Sequence, residues 1–222
     1  MISAQAFYEK RAAQRDRELH RHYHQLIQRH YRFLIPPQSR ILEIGCSSGE
    51  LLHVLNPSHG VGIDFSPSII QQAKQRFPKL EFHLGSAHAP PASGTFDYII
   101  LSDLANDLPD VQSVLQNLHQ FATPHTRLIL NSFNHLWRPI LRLAESLGAK
   151  APTPQQNWLS SHDLHNLLHL AGWEQIKEEN RILWPIKTPI LGPLLNRWIA
   201  PLLKHFCLTI FMVARPRPQT LP

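Results

Sequence analysis

The chain has 222 residues, 43% of them hydrophobic, which is enough for one domain with a large core and excludes a disordered chain. Lysine and arginine outnumber aspartate and glutamate by 22 to 16, but these basic residues are dispersed. A nucleic-acid interface would cluster them among aromatic residues, so we expect no nucleic-acid partner. Two cysteines, a charged N-terminal region and the absence of a long apolar run favour a cytoplasmic protein without a structural disulfide, signal peptide or membrane span.

A helix is the first predicted element and covers residues 4–34. Pro36 and Pro37 end it before the first strand. One face of this helix combines apolar and aromatic residues, namely Leu19, Tyr23, Leu26, Ile27, His30 and Leu34.

Residues 40–66 are the most informative stretch. A short apolar run is interrupted from Gly45 to Gly49 and is followed by leucines at helical spacing, which predicts a strand, a tight turn and a helix. The next predicted strand, 60–64, ends in Asp64. Asp64 follows Gly45 by 19 positions, a spacing at which a carboxylate accepts hydrogen bonds from ribose hydroxyls. The pattern predicts a nucleotide site at this sheet edge.

The glycine positions discriminate between nucleotides. A dinucleotide fingerprint that begins at Gly45 requires glycine at positions 47 and 50, where this chain has Ser47 and Glu50. The stretch from Glu43 to Gly49 instead resembles the first motif of class I S-adenosylmethionine-dependent methyltransferases, acidic-x-Gly-x-Gly-x-Gly, with serine in place of the middle glycine. A turn without a ligand would explain the glycines, but it would not explain their pairing with Asp64.

The remaining pattern alternates strands and helices. Further strands are predicted at 80–84, 96–101, 126–131, 173–183 and 206–214, and helices begin near Ser66, Asp110, His135 and Ser161. This alternation predicts an α/β fold with a doubly wound, Rossmann-like parallel sheet.

Two apolar segments lie late in the chain. A helix over 135–147 is expected to bury one side, made of Leu136, Ile140, Leu143, Ala144 and Leu147. Residues 190–203 are apolar but interrupted by prolines, and the favoured interpretation is a helix buried against the sheet. The alternative is an interfacial surface for a lipid-attached acceptor, because Trp198 and scattered lysine and arginine suit a membrane boundary.

The family resemblance implies an overall organisation. It implies a seven-stranded sheet whose last strand is antiparallel, in a single domain. Residues 1–37 would form an N-terminal helical lid and 38–150 the cofactor-binding core. Residues 151–216 would hold the substrate-side elements and last strands, and 217–222 a tail.

The resemblance also implies the cofactor, S-adenosylmethionine, with S-adenosylhomocysteine as product. Ser86 occupies the position at which the family usually has an aspartate for the adenine amino group, so we expect the backbone near Ala87 to share this role. The cofactor contacts expected from the resemblance are Tyr8, Glu43, Gly45, Cys46, Ser47, Gly49, Asp64, Phe65, Ser86, Ala87 and Ser102.

Methyl transfer to a hydroxyl requires a base near the acceptor. Asp103, His135 and His24 are the candidates, because they lie beyond strands four and five or in the predicted lid. The alternative for each histidine is an ordinary surface position. The histidines at 162, 165 and 169 share the polar side of an amphipathic helix, so we expect no metal site.

The predicted reaction is methylation of a small-molecule hydroxyl on a saccharide, lipid-linked or quinone-like acceptor. The motif Asn/Asp-Pro-Pro-Tyr/Phe of base-amine methyltransferases is absent after strand four. Residues 136–139, 157–160 and 213–216 are similar to bacterial methyltransferases associated with or fused to family 2 glycosyltransferases, which implies a glycosyltransferase partner. Two alternatives remain: an RNA methyltransferase, and a non-catalytic cofactor-binding partner of a glycosyltransferase.

Overall fold

Seven strands form one mixed sheet in the order β3-β2-β1-β4-β5-β7-β6 in the computed structural model, which describes residues 18–146 and 157–218. β1 to β5 are parallel, whereas β7 runs antiparallel to its neighbours β5 and β6. The predicted Rossmann-like sheet with an antiparallel last strand is therefore confirmed. The strands are β1 Arg40–Ile44, β2 His59–Asp64, β3 Glu81–Leu84, β4 Tyr98–Ser102, β5 Arg127–Phe133, β6 Trp173–Arg181 and β7 Thr209–Pro216.

Helices connect the strands and begin at polar caps. The Asp110 carboxylate accepts a hydrogen bond from Ser113 N at the start of α4. Ser160 and Asp163 form a capping box at α6, so the cap lies one residue before the predicted Ser161. The helices are α1 Glu18–Leu34, α2 Glu50–Val54, α3 Pro67–Arg76, α4 Val111–Asn117, α5 Arg138–Ser146, α6 Ser161–Leu170 and α7 Leu191–Leu194.

The sheet has an apolar core on each face, because successive residues of a strand point to opposite sides. Leu42, Ile99 and Leu128 face α4 and α6. Their neighbours Ile41, Ile100 and Ile129 face α1, α2 and α3. Burial on both faces explains why the central strands are almost continuously apolar in sequence.

α1 is a core helix of the sheet. Tyr23, Ile27 and Tyr31, spaced by four residues, are buried against the sheet, and Tyr31 is fully buried. Tyr31 was missing from the predicted apolar face. The predicted lid includes residues 1–17, which lie outside the described residues, so its role as a lid stays a prediction.

α5 differs from its prediction. A 3-10 turn, His135–Trp137, comes first, and Leu136, Ile140 and Leu143 are exposed by 47%, 53% and 60%. The expectation that these side chains are buried was wrong. α5 begins beyond the carboxyl end of β5, so only its other side meets the core, where Leu141 packs together with Trp137 of the preceding turn.

Residues 190–203 are also not the buried helix that we favoured. Only Gly192 and Ala200 are buried, whereas Trp198 is 63% exposed. The segment connects the end of β6 to the start of β7, beyond the carboxyl edge of the parallel strands. No helix among the described residues is long and apolar enough to span a membrane.

Candidate functional site

The turn after β1 brings the backbone close to the carboxyl edge of the sheet. Gly45, Ser47 and Gly49 all have positive φ, at 72°, 51° and 77°. A Cβ atom at Gly45 would lie 2.9 Å from a Leu104 methyl, and one at Gly49 would lie 2.5 Å from the Phe82 ring. Glycine is therefore favoured at both ends of the turn, where φ is positive and a side chain would meet a close neighbour.

Asp64 connects this turn to the end of β2. Its carboxylate accepts one hydrogen bond from Ser47 N at 2.9 Å and another from Ser66 N at 3.0 Å. The side chain, 8% exposed, is thus turned towards the Gly45–Gly49 turn, the orientation on which the nucleotide prediction depends. The bond to Asp64 also stabilises the left-handed conformation of Ser47, which is unfavourable for a residue with a side chain. Each carboxylate oxygen can accept more than one hydrogen bond, so a ribose hydroxyl remains a suitable partner.

Two exposed apolar side chains follow the ends of β2 and β3. Phe65, 40% exposed, comes directly after Asp64. Leu84, 52% exposed, pairs with Asp64 in the sheet register. Leu84 was not among the predicted site residues, although its place at the end of a predicted strand was a usable signal. Both exposed side chains thus lie at the carboxyl edge, Phe65 next to Asp64 along the chain and Leu84 next to it in the sheet.

The turn after β3 holds the predicted adenine-binding residues. Ser86 is exposed, and its hydroxyl accepts a hydrogen bond from His88 N at 3.2 Å. Ala87 is half-buried and packs against the core. Both residues thus lie at the same sheet edge as Asp64, next along from β2.

Glu43 and Cys46 are buried on either side of the end of β1. Glu43 is 2% exposed, and after burial and the charge of Asp103 its own charge is a smaller cause of the raised pKa of the Tyr31 hydroxyl. Cys46 lies so close to Gly62 that a Cβ there would be 2.8 Å from its sulfur. These two buried side chains therefore pack beneath the turn, inside the protein. Ser102, half-buried at the end of β4, lies next to Tyr31.

Asp103 lies at the centre of a polar network that sequence reasoning missed. Tyr23 Oη donates a hydrogen bond to the Asp103 carboxylate at 3.0 Å, and the Asn131 side-chain amide donates a second. Tyr31 Oη in turn donates to Asn131 Oδ1 at 2.8 Å. Tyr23 Oη also lies 3.3 Å from Thr209 Oγ1. Four elements, α1, β4, β5 and β7, thus meet around one carboxylate at the sheet edge.

The electrostatics of this network keep both tyrosines protonated. Burial, followed by the nearby negative charge of Asp103, raises the pKa of Tyr23 well above its usual value. Burial also raises the pKa of Tyr31, again with Asp103 as the next cause. Both hydroxyls therefore remain hydrogen-bond donors at neutral pH. Asp103 itself has a left-handed backbone, with φ of 52°, and these bonds hold it there.

The two histidine candidates occupy different surroundings. His24 is half-buried next to Tyr23, and the two rings are 5.5 Å apart. His135 is exposed in the turn between β5 and α5, within electrostatic range of Asp163. The structure thus brings His24 and Asp103 towards the same network through Tyr23, whereas His135 lies nearer to α6. Tyr8 lies outside the described residues.

Metal ligands are not grouped in the part of the chain that the structure describes, where no cluster of three or more histidine, cysteine, aspartate or glutamate side chains could hold an ion.

Comparison with known proteins gives a family match and related chains. The model of a family described as a methyltransferase domain matches residues 35–182, more than half of the chain. A demethylmenaquinone methyltransferase from Lactococcus lactis subsp. lactis is 28% identical over 125 residues, which cover 51% of this chain and 50% of the relative. A malonyl-[acyl-carrier protein] O-methyltransferase from Bacillus cereus is 33% identical over 102 residues, covering 43% and 38%. The chain thus spans half or less of the length of these curated relatives.

Solved structures resemble the whole sheet and its helices. The crystal structure of a SAM-dependent methyltransferase from Thermotoga maritima matches with a TM-score of 0.76, covers 96% of this chain and 98% of that chain, and shares 16% sequence identity. A likeness at this level of identity shows the fold.

Proposed function

We propose a specific reaction for this chain, which belongs to the methyltransferase domain family and uses S-adenosylmethionine as cofactor: methyl transfer to a hydroxyl of a small-molecule acceptor. The observation that carries the proposal is the Asp64 carboxylate, held against the glycine turn by Ser47 N at the end of β2. An acidic side chain so placed suits the two hydroxyls of the adenosyl ribose.

The neighbouring residues fit the rest of the cofactor. The backbone of the Gly45–Gly49 turn would border the methionine part, since no side chain can occupy the two glycine positions. Phe65 and Leu84 would contact the adenine ring from the two strand ends, with Ser86 and Ala87 near its polar edge. When bound, the cofactor supplies a methyl group on a sulfonium, whose leaving group needs no protonation.

The protein then has to position the acceptor and remove one proton. Asp103 is the preferred base, because it lies beyond β4 and is held by Tyr23 and Asn131. Asp103 would accept the proton of the acceptor hydroxyl, and the methyl group that the acceptor oxygen gains would come from the cofactor, which would be released as S-adenosylhomocysteine. His24 and His135 remain the other candidates for the proton.

The acceptor class is inferred from relatives and from the acceptor side of the site. The two curated relatives are named for demethylmenaquinone and for malonyl-[acyl-carrier protein], and the second is an O-methyltransferase. Exposed apolar residues of the 190–203 segment lie at the same edge of the sheet as Asp103. A quinone-like or lipid-linked saccharide acceptor fits this combination. We further propose that 190–203 touches a membrane surface, and that a glycosyltransferase partner supplies or consumes the acceptor.

The test uses the purified chain, labelled S-adenosylmethionine and extracts fractionated into lipid-linked sugars, quinones and RNA. We expect label in a lipid-linked or quinone fraction. Label only in RNA would contradict the proposed acceptor, and cofactor binding without any label would favour a non-catalytic partner. Titration calorimetry with S-adenosylmethionine separates cofactor binding from turnover. The Asp103→Asn variant should bind cofactor normally and lose about a hundredfold in turnover.

A further inference from the structure

Exposed apolar side chains are concentrated in two segments at one edge of the sheet. Sixteen large apolar side chains are exposed in the described residues, and eleven of them belong to α5 with its preceding turn or to residues 186–206. Soluble proteins seldom expose so much apolar surface in one place without a partner. In the second segment the exposed side chains recur at every fourth position: Ile190, Leu194, Trp198, Leu202 and Phe206.

The two segments adjoin each other. Trp137 Nε1, in the turn just before α5, donates a hydrogen bond to Phe206 O at 2.8 Å. Asn134 Nδ2 donates to His205 O and Cys207 O at 2.8 and 3.0 Å. The exposed residues of α5 and its preceding turn therefore lie next to those of 186–206. We call these two groups together the edge surface.

The second segment is held in place although its side chains are exposed. The Asn196 side chain bonds to the Trp184 backbone in both directions, with Nδ2 donating to Trp184 O and Oδ1 accepting from Trp184 N, each at 2.8 Å. Two reciprocal bonds fix the relative position of residues twelve apart in sequence. The apolar side chains are thus presented by an ordered backbone and have not collapsed into the core.

The charge around the edge surface has one dominant sign. Residues 182–208 contain Lys187, Arg197 and Lys204 but no aspartate or glutamate. α5 adds two exposed arginines, at positions 138 and 142, with one glutamate, at 145, as its only acidic residue. The Arg197 guanidinium lies 5.6 Å from the centre of the Trp198 ring, which joins a cation to an aromatic side chain. Apolar residues bordered by cations complement the anionic surface of a bilayer.

We infer that the edge surface docks on an anionic lipid bilayer, with α5 as a membrane-binding element of its own beside 190–203. The inference rests on the proposed function in one respect only: the purpose of docking is to deliver a membrane-held acceptor to the site. Since α5 and 186–206 both lie at the carboxyl edge, docking turns that edge towards the lipid. The acceptor then reaches Asp103 without crossing water.

The experiment is co-sedimentation of the full chain with phosphatidylcholine vesicles, with or without one quarter phosphatidylglycerol. We expect binding to the anionic vesicles and at least tenfold weaker binding to neutral ones. Ile140→Ser with Leu143→Ser should weaken binding about tenfold, and Trp198→Ser with Leu202→Ser should do the same. Arg138→Gln with Arg142→Gln should weaken it about 25-fold and reduce the salt dependence, since each of these two cations near the surface contributes roughly fivefold.

The matched control replaces Leu170 and Ile176 by serine. They are similarly exposed, by 62% and 45%, but Leu170 lies just before the start of β6, at the opposite sheet edge. This control should bind vesicles within twofold of the wild type. Equal losses in the control and in the α5 variant would overturn the inference, as would wild-type binding that is absent or equal for both lipids.

Two further measurements separate this inference from its alternatives. If the wild type is a dimer and the α5 variant a monomer by light scattering, a second copy of the chain covers the surface and the inference fails. Calorimetric affinity for S-adenosylmethionine should be the same in all variants. Vesicle binding without cofactor binding would contradict the proposed function alone, and cofactor binding without vesicle binding would contradict the inference alone.

Discussion

Two parts of the carboxyl edge are built in different ways: the proposed cofactor half around Asp64, and the proposed acceptor half around Asp103. In the cofactor half, Asp64 and the Gly45–Gly49 turn are close in sequence and are joined through backbone groups. In the acceptor half, the Tyr23 hydroxyl contacts both Asp103 and Thr209, which is 186 residues away in sequence, through side chains. The first half depends on local backbone conformation, and the second depends on how distant elements pack. Substitutions can test this difference directly.

The largest expected effect comes from a substitution in the Gly45–Gly49 turn of the cofactor half. Gly49→Ala should lower the free energy of unfolding by about 3–4 kcal/mol, because alanine is unfavourable in the left-handed conformation and its Cβ would lie 2.5 Å from Phe82. Denaturant unfolding measures this change in the free energy of unfolding. Gly94→Ala is the matched control, because Gly94 has a similar φ of 81° but its nearest atom is 3.7 Å away. It should cost only about 1–2 kcal/mol; equal losses would show that the close approach to Phe82 does not matter.

The next effect concerns cofactor affinity. Asp64→Asn should weaken S-adenosylmethionine binding by about 30- to 100-fold, or roughly 2–3 kcal/mol, because an amide has one acceptor oxygen and presents its NH₂ to a backbone N–H. Titration calorimetry gives the value. Asp97→Asn is the control, since Asp97 also accepts from a backbone N–H, that of Arg40, but at the other end of the strands. Unchanged affinity in Asp64→Asn would remove the basis of the cofactor assignment.

A pH-dependent effect tests the packing of α1 against β6. Burial lowers the pKa of His30 to about 4, and its Nε2 lies 2.8 Å from Glu179 Oε2. The unfolded chain takes up this proton near pH 6.5, before the folded chain does. Stability should therefore fall as the pH drops from about 6.5 to 4, by roughly 1–3 kcal/mol from this group.

His30→Gln removes the titrating group and should flatten this part of the stability profile. His53→Gln provides the comparison, because the His53 ring is exposed and stacks on Phe77. Thermal unfolding at several pH values measures both. A His30→Gln profile that runs parallel to the wild type would show that His30 does not couple acid to the packing of α1.

The smallest expected effect tests the role of the polar network around Asp103. Tyr23→Phe removes the hydrogen bond to Asp103 and should lower kcat about tenfold, or roughly 1.4 kcal/mol, while the cofactor Kd stays within twofold. Tyr98→Phe is a suitable control, because β4 begins at Tyr98, at the opposite edge of the sheet. If Tyr23→Phe altered cofactor affinity and kcat equally, the two halves would not be separable.

The predicted elements agree best with the structure where the evidence for them is local. The strand that ends at Asp64 and the helix that begins after Ser66 were predicted within about one residue, because apolar runs, glycine turns and caps act over a few neighbours. The polar network was missed. Tyr31 and Asn131 are 100 residues apart, and no periodicity indicates that a tyrosine on a helix will meet an amide on a strand.

The apolar segments also show that a local pattern does not determine tertiary contacts, because here the predicted burial is not found. The spacing of Leu136, Ile140 and Leu143 indicates an amphipathic helix, but it does not indicate whether the apolar side meets the sheet or solvent. That depends on where the sheet ends relative to α5, which no residue within the helix specifies.

The succession of strands and helices along the chain, and the glycine turn with its carboxylate, followed from the amino-acid sequence alone, since backbone sterics and side-chain alternation are properties of short stretches. The surroundings of Asp103 and the exposure of α5 and 186–206 were decided only by the tertiary structure. Both depend on which distant surfaces meet when the sheet assembles. A hydrogen bond or a buried face requires two partners, and a local sequence pattern specifies only one of them.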